Sequence, residues 1–308
     1  MRITLMPMIV MIVSTFLHIL FCVIFVNVLD TGVVGLAYAS SLKDFFLMVS
    51  VRIYGSCSSD INVALTPITK EAFMGWCEYL RVALPSTVMI CAEWWAFEIL
   101  TILSGILGVT SLASMTVINS VGATLFMVPL GIQEATCGII GNCIGANNVP
   151  LAKRFFSVIT RFTMATILIL SITTFFAREQ IIAFYTEDAE VQAICVRVFA
   201  LMACMFAFDG MQGYLQGPIR AMGLQQVASY CALGCYYLIG IPSACVLGFW
   251  VDLGVFGLQG GFFIAAVVLV MAYVCILKTK NWQDVADEAT ERITAEEARL
   301  EALRIKST

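Results

Sequence analysis

Long apolar runs separated by short polar breaks dominate the chain. A hydrocarbon core about 30 Å thick takes about 20 apolar residues in helical form. Windows of that length fall at roughly 7–28, 33–53, 82–104, 111–138, 157–177, 192–213, 225–249 and 255–277. Lipid offers no partner to an open backbone group, so each window is predicted to be a helix. The breaks carry turn chemistry: Leu29-Asp30-Thr31-Gly32, Gly145-Ala146-Asn147-Asn148 before Pro150, and Trp250-Val251-Asp252-Leu253-Gly254. One longer break, about Tyr54 to Glu78, holds Gly55, Ser56, Ser58, Ser59, Asp60 and Pro67, and it divides two helices from six. The predicted class is all-α, with about eight transmembrane helices.

Composition agrees with that pattern. Hydrophobic residues make up 60% of the chain, charged residues 12%, and the mean hydropathy is +0.94. A soluble domain carries about 25% charged residues to keep its surface wetted. This chain is therefore solvated by the lipid bilayer, as a multi-pass integral membrane protein. Arg2 followed by an apolar run can imitate a secretion signal. The run from Pro7 to about Val28 is longer than a signal core, lacks a small-x-small site and ends in Asn27 and Asp30, so it reads as a spanning helix. No basic patch points to nucleic acid. The 12 cysteines are scattered through apolar runs without a CxxC pair or zinc-type spacing, and there is 1 histidine. They read as small apolar filler, and neither a metal nor a cofactor is expected.

Charge orients the bundle. Arg2, Arg52, Lys70, Arg81, Lys153, Arg154, Arg161, Arg220, Lys278 and Lys280 fall at alternate ends of successive windows, while Arg178 and Arg197 lie opposite. This skew places both termini in the cytoplasm. After Lys280 the chain turns charged, with Val285, Ala289 and Ile293 recurring every four residues among Asp284, Asp287, Glu288 and Glu291. That segment reads as a short solvated helix without a specific job.

An ionisable group inside hydrocarbon costs about 2.5–3.5 kcal/mol at a helix centre, so each one is a functional candidate. Glu93 lies at the middle of the third window, and Glu98 about 7.5 Å further along it. Asp209 sits in the inner half of the sixth. Glu93 is flanked by Trp94 and Trp95, whose faces can hold a delocalised cation. A proton and an organic cation compete for one such carboxylate, which is the minimum needed for exchange. The bland alternative is a carboxylate bonded to a neighbouring helix. Glu98, five residues on, is expected to face elsewhere and to stack over Trp94.

Asp209 stands in Phe208-Asp209-Gly210-Met211-Gln212-Gly213, where two glycines permit close approach or a break. A relay acid and a polar interhelical contact explain it about equally well. Lys43 and Asp44 read as a self-neutralised interhelical contact. His18 reads as a bonded buried imidazole, with a titrating group the alternative. Glu134, near the inner end of the fourth window, is expected to meet interfacial water. Pro129, Pro218 and Pro242 can bend or hinge their helices.

Several ordered motifs resemble one family. Leu80-Arg81-Val82-Ala83-Leu84-Pro85-Ser86, leading to Cys91-Ala92-Glu93-Trp94-Trp95-Ala96-Phe97-Glu98, resembles the start of the seventh helix of eukaryotic multidrug and toxic compound extrusion (MATE) transporters. Ser104-Gly105-Ile106-Leu107-Gly108 follows at the expected distance. Val128-Pro129-Leu130-Gly131 and Gly141-Asn142-Cys143-Ile144-Gly145-Ala146 are similar to the family's P-x-G and V-G-N-x-x-G-A elements. Asp209-Gly210-Met211-Gln212-Gly213 and Gly223-Leu224-Gln225-Gln226 resemble the tenth helix and its loop, and Tyr236-Tyr237-Leu238-Ile239-Gly240-Ile241-Pro242 the eleventh.

The resemblance implies a secondary antiporter that exports small organic cations or toxic metabolites in exchange for protons, by alternating access between two lobes. The coupling ion it implies is the proton, with sodium the alternative, and it implies no enzyme. It makes Glu93 the shared proton and cation carboxylate and Glu98 its neighbour. Asp209 becomes the tenth-helix acid, and Trp94, Trp95, Tyr236 and Tyr237 join the binding set. Ser120 stands where some animal members carry another acid, and Ile139 where an arginine is common. Gly32-Val33-Val34-Gly35 resembles the start of the sixth helix, so the chain corresponds to the fifth to twelfth and reads as truncated. On this reading residues 1–56 are two helices of an incomplete N-terminal lobe and 57–79 an inter-lobe linker. Residues 80–278 are then the C-terminal six-helix lobe, and 279–308 a charged cytoplasmic tail.

Three other readings compete. A lipid or lipid-linked sugar flippase shares the two-lobe architecture, but it calls for cationic groups against phosphate. An intramembrane enzyme would need a catalytic constellation that one histidine does not supply. A non-transporting fragment is the last.

Overall fold

The computed structural model describes residues 5–57, 76–291 and 294. Eight long helices are present among them: α1 (Leu5–Val28), α2 (Gly32–Cys57), α3 (Trp76–Ile106), α4 (Val109–Gly145), α5 (Val149–Tyr185), α6 (Ala189–Ala221), α7 (Gln225–Trp250) and α8 (Gly254–Thr279). Each contains one of the eight apolar windows and is long and apolar enough to cross a membrane. No strand occurs among the described residues. A shorter helix, α9, covers residues 282–291. The windows underestimate helix length. α4 and α5 each have 37 residues, about 55 Å at helical rise, because polar turns beyond the apolar stretch continue the same hydrogen-bond ladder.

The turns behave as their residues suggest. Asp30, Asn147 and Asp252 take positive φ (48°, 51° and 59°) between successive helices, a conformation that Asn and Asp tolerate better than most side chains.

The chain divides into two compact units, Met1–Trp76 and Cys77–Thr308. The longer sequence break falls mainly on 58–75, outside the described residues. In the first unit α1 and α2 pack on one another, with the Phe25 and Tyr38 rings 6.3 Å apart. The Lys43 ammonium lies 2.6 Å from Asp44, so this pair closes within α2 and does not join two helices as expected. His18 Nε2 contacts Cys22 Sγ at 3.3 Å, one turn on in its own helix.

In the second unit α6 is the central element, packed against α4, α5 and α8. Its buried positions run almost without break from Gly210 to Ile219. The two glycines of its motif serve close packing and leave α6 unbroken. Further along, a Cβ at Gly217 would meet the Gln133 backbone, so this glycine lets α4 cross at backbone distance. Tyr214 and Thr160 share a hydrogen bond at 2.8 Å between α6 and α5. The Phe97 ring of α3 meets Phe262 of α8 at 5.2 Å. Pro129 and Pro218 sit inside continuous helices.

Pro242 brings no N–H to the carbonyl four residues earlier; α7 also widens to i→i+5 turns at Gly234–Gly240 and Val246–Trp250.

The start of the tail is docked, which corrects the reading of a helix without a specific job. Trp282 is buried, donates from Nε1 to the Leu277 carbonyl at 3.1 Å and lies 5.5 Å from the Phe156 ring. Ala286 is buried beside it. Asn147 donates to Asp287 at 3.2 Å and accepts from Gln283 at 2.9 Å, which ties α9 to the turn between α4 and α5.

Candidate functional site

The site is built on one face of α6. Asp209, Gln212 and Gln216 follow at i, i+3 and i+7, which stacks them on one side of a helix. Glu93, midway along α3, points at that face and is 6% exposed. Its Oε1 accepts from Gln212 Nε2 at 2.6 Å and its Oε2 from Gln216 Nε2 at 3.1 Å. Gln216 Nε2 also donates to Gln212 Oε1 at 3.1 Å, which closes a ring of amides around the carboxylate. The other hydrogen of Gln212 Nε2 reaches Asp209 Oδ1 at 3.4 Å. Hydrogen bonds to a charged group contribute about 1.5–3 kcal/mol each, and these offset part of the cost of burying Glu93. Sequence reasoning missed both glutamines as site residues. Their i, i+4 spacing, one turn beyond Asp209, is the signal that could have found them.

A cavity of about 400 Å³ opens beside this ring. Glu93, Trp94, Phe97, Glu98 and Thr101 line it from α3, Thr116, Asn119, Ser120 and Phe126 from α4, and Asp209 from α6. Asn119 donates to Thr101 at 2.9 Å and bridges the two walls. The Ser120 hydroxyl is turned back to the Thr116 carbonyl of its own helix at 2.8 Å. Among the described residues, no Lys or Arg lines the cavity.

The sequence-predicted residues divide under this geometry. Glu93, Glu98, Asp209 and Trp94 meet at the cavity. Glu98 therefore shares Glu93's cavity, against the expectation that it faces elsewhere, because the cavity wraps around the open side of α3. Trp95 is 63% exposed and lies outside the lining, so only one of the two tryptophans is available there. Tyr236 is buried against Phe262, with ring centroids 5.6 Å apart, and Tyr237 is half-buried; neither lines the cavity. Glu134 is paired with Arg220 at 2.7 Å, where interfacial water had been expected.

The MatE family model matches residues 85–246, more than half of the chain and all of the cavity. The chain belongs to the MatE family. It is similar to the eukaryotic MATE transporter AtDTX14, with a TM-score of 0.89 at 28% identity over 93% of this chain and 65% of that one. Among curated relatives, Protein DETOXIFICATION 16 of Arabidopsis thaliana is 31% identical over 91% of this chain and 58% of its own length. Multidrug and toxin extrusion protein 2 of Mus musculus is 30% identical over 86% and 46%. The chain thus spans about half the length of the curated relatives it matches. As a MATE-family chain with eight apolar helices it is a multi-pass integral membrane protein, and its relatives are named as transporters.

Proposed function

We propose that this MATE-family chain carries the exchange site of an efflux antiporter that moves small organic cations against protons. One observation carries the reading: Glu93 stands at the wall of an aromatic-sided cavity, held by neutral amides and with a second acid, Asp209, one amide away. Such a carboxylate can hold a proton or a cation in turn, and Trp94, Phe97 and Phe126 offer faces to a flat cation. A cavity lined by acids, with no Lys or Arg among its described lining residues, suits a cationic ligand better than the phosphate of a lipid headgroup. Neither a cofactor nor a covalent step enters the scheme.

The test is binding to the purified chain in lipid nanodiscs, with a fluorescent quaternary pyridinium as probe. The expected result is saturable binding that is competed by protons and is lost in Glu93→Gln. Binding that ignores both pH and Glu93→Gln would sink the proposal.

A further inference from the structure

The polar side chains around the cavity have already committed most of their hydrogens. Thr116, Asn119, Ser120 and Ala123 follow at i, i+3, i+4 and i+7, so one face of α4 forms this wall. The Thr116 hydroxyl donates to the Leu112 carbonyl at 2.9 Å, and the Ser120 hydroxyl to the Thr116 carbonyl. Across the cavity the Thr101 hydroxyl donates to the Phe97 carbonyl at 3.1 Å, which leaves its oxygen to accept from Asn119 Nδ2. The amide is thereby oriented, and the Asn119 carbonyl oxygen is left without a partner among the described residues. A hydroxyl has one hydrogen to give and two lone pairs. Once its hydrogen is turned back to the helix, it can offer a ligand only an acceptor.

The acid side is committed in the same way. The Gln212 Nε2 hydrogens go to Glu93 and Asp209, and those of Gln216 Nε2 to Glu93 and Gln212. As carboxylates, Glu93, Glu98 and Asp209 only accept. Among the described lining side chains, the hydrogens still free are the Trp94 indole N–H and the second one on Asn119 Nδ2. The cavity is thus rich in acceptors and poor in donors on both walls.

We propose that this cavity prefers cations whose charged nitrogen bears hydrogens, such as protonated amines, over quaternary ones, and that Asn119 and Ser120 set the preference. The inference rests on reading the cavity as a cation site. Charge and the aromatic faces serve both kinds of cation alike, since cation–π attraction needs no N–H. The difference lies in the acceptors. A quaternary nitrogen presents only methyl groups to Asn119 Oδ1 and Ser120 Oγ, and an acceptor stripped of water without a new donor is costly. An ammonium gives up more hydration on entry, and this wall returns those hydrogen bonds. The cavity, about 400 Å³, has room for a small aromatic amine.

The experiment displaces the fluorescent quaternary pyridinium from the purified chain in nanodiscs with three cations that share one ring and one charge. Benzylammonium has three N–H hydrogens, benzyldimethylammonium one and benzyltrimethylammonium none; the last two are nearly equal in bulk, which separates hydrogen bonding from size. Kd should fall as hydrogens are added, by about tenfold or more between the extremes. In Ser120→Ala and Asn119→Leu the ratio of the extreme Kd values should shrink by about threefold or more, because the ammonium weakens more than the quaternary ion. Asn119 bridges α3 and α4, so its variant is checked by Tm. Ser120 bonds only within its own helix, and its variant decides the matter if Asn119→Leu does not fold. Equal Kd for benzyldimethylammonium and benzyltrimethylammonium, a ratio unchanged in Ser120→Ala, or an equal loss for all three cations each overturns the inference. Should the three cations bind alike and all depend on Glu93, only the preference fails. Should none bind, the pyridinium included, the cation-site reading fails with it.

Discussion

Glu93 and Glu98 border one cavity from two sides of α3, five residues and about 140° of helical rotation apart. Glu93 is buried and held by two glutamines, whereas Glu98 is exposed and makes no side-chain hydrogen bond to another described residue through its carboxylate. The two should respond differently to the same change. Glu93→Gln keeps shape and removes the charge at the amide ring, so exchange driven by a pH gradient in proteoliposomes should be abolished. Glu98→Gln should lower the rate only a few-fold, about what one solvated charge contributes. Equal losses would show that the two acids act as one site.

Trp94 lines the cavity and Trp95 does not. A cation–π contact contributes about 0.5–2 kcal/mol depending on its desolvation, so Trp94→Ala should raise the Kd of an aromatic cation by about 2- to 30-fold. Trp95→Ala should leave it unchanged, since that ring is largely exposed. Isothermal titration with one probe on both variants distinguishes the residues.

The Arg220–Glu134 pair joins α6 to α4 at 2.7 Å, with Glu134 56% exposed. Solvent screening limits such a pair to about 1 kcal/mol or less. Glu134→Gln should lower the Tm by about 2–4 °C at most in low salt, and by less in high salt. The charge-swapped double variant should recover most of the loss.

Trp282 is the anchor of α9. Trp282→Ala removes a buried ring packed on Phe156 and should cost about 3 kcal/mol. Hydrogen exchange should then rise in residues 282–291 and, through Asn147, in the turn between α4 and α5. Protection unchanged in that turn would mean that the tail does not brace it.

Sidedness follows from the basic residues alone and is open to direct measurement. Cysteines introduced at Asp30 and Asp252 should be labelled by an impermeant reagent from outside, and one at Asn148 from inside. Labelling of Asn148 from outside would invert the orientation.

The amino-acid pattern by itself determined the class, the number of spanning helices and the turns between them. These depend on local quantities: how many apolar residues fit a hydrocarbon core, and which residues accept a positive φ. Asp30, Asn147 and Asp252 show it, each standing at a break and each taking that conformation. Glu93 was legible for a similar reason, because a carboxylate amid apolar residues is conspicuous in one dimension. What lay around it was not. Gln212 and Gln216 carry no charge and read as ordinary helix residues until α3 is set against α6. Trp94 and Trp95 look alike in the chain and part company only when one turns to the cavity. Glu98 seemed to face away because helical angle ignores the shape of the space beside the helix, and a cavity can wrap where no neighbour packs. Tail docking likewise depends on Asn147, 140 residues away from Asp287. Contacts between residues distant in sequence are set by how the helices pack, and no spacing within one helix encodes them.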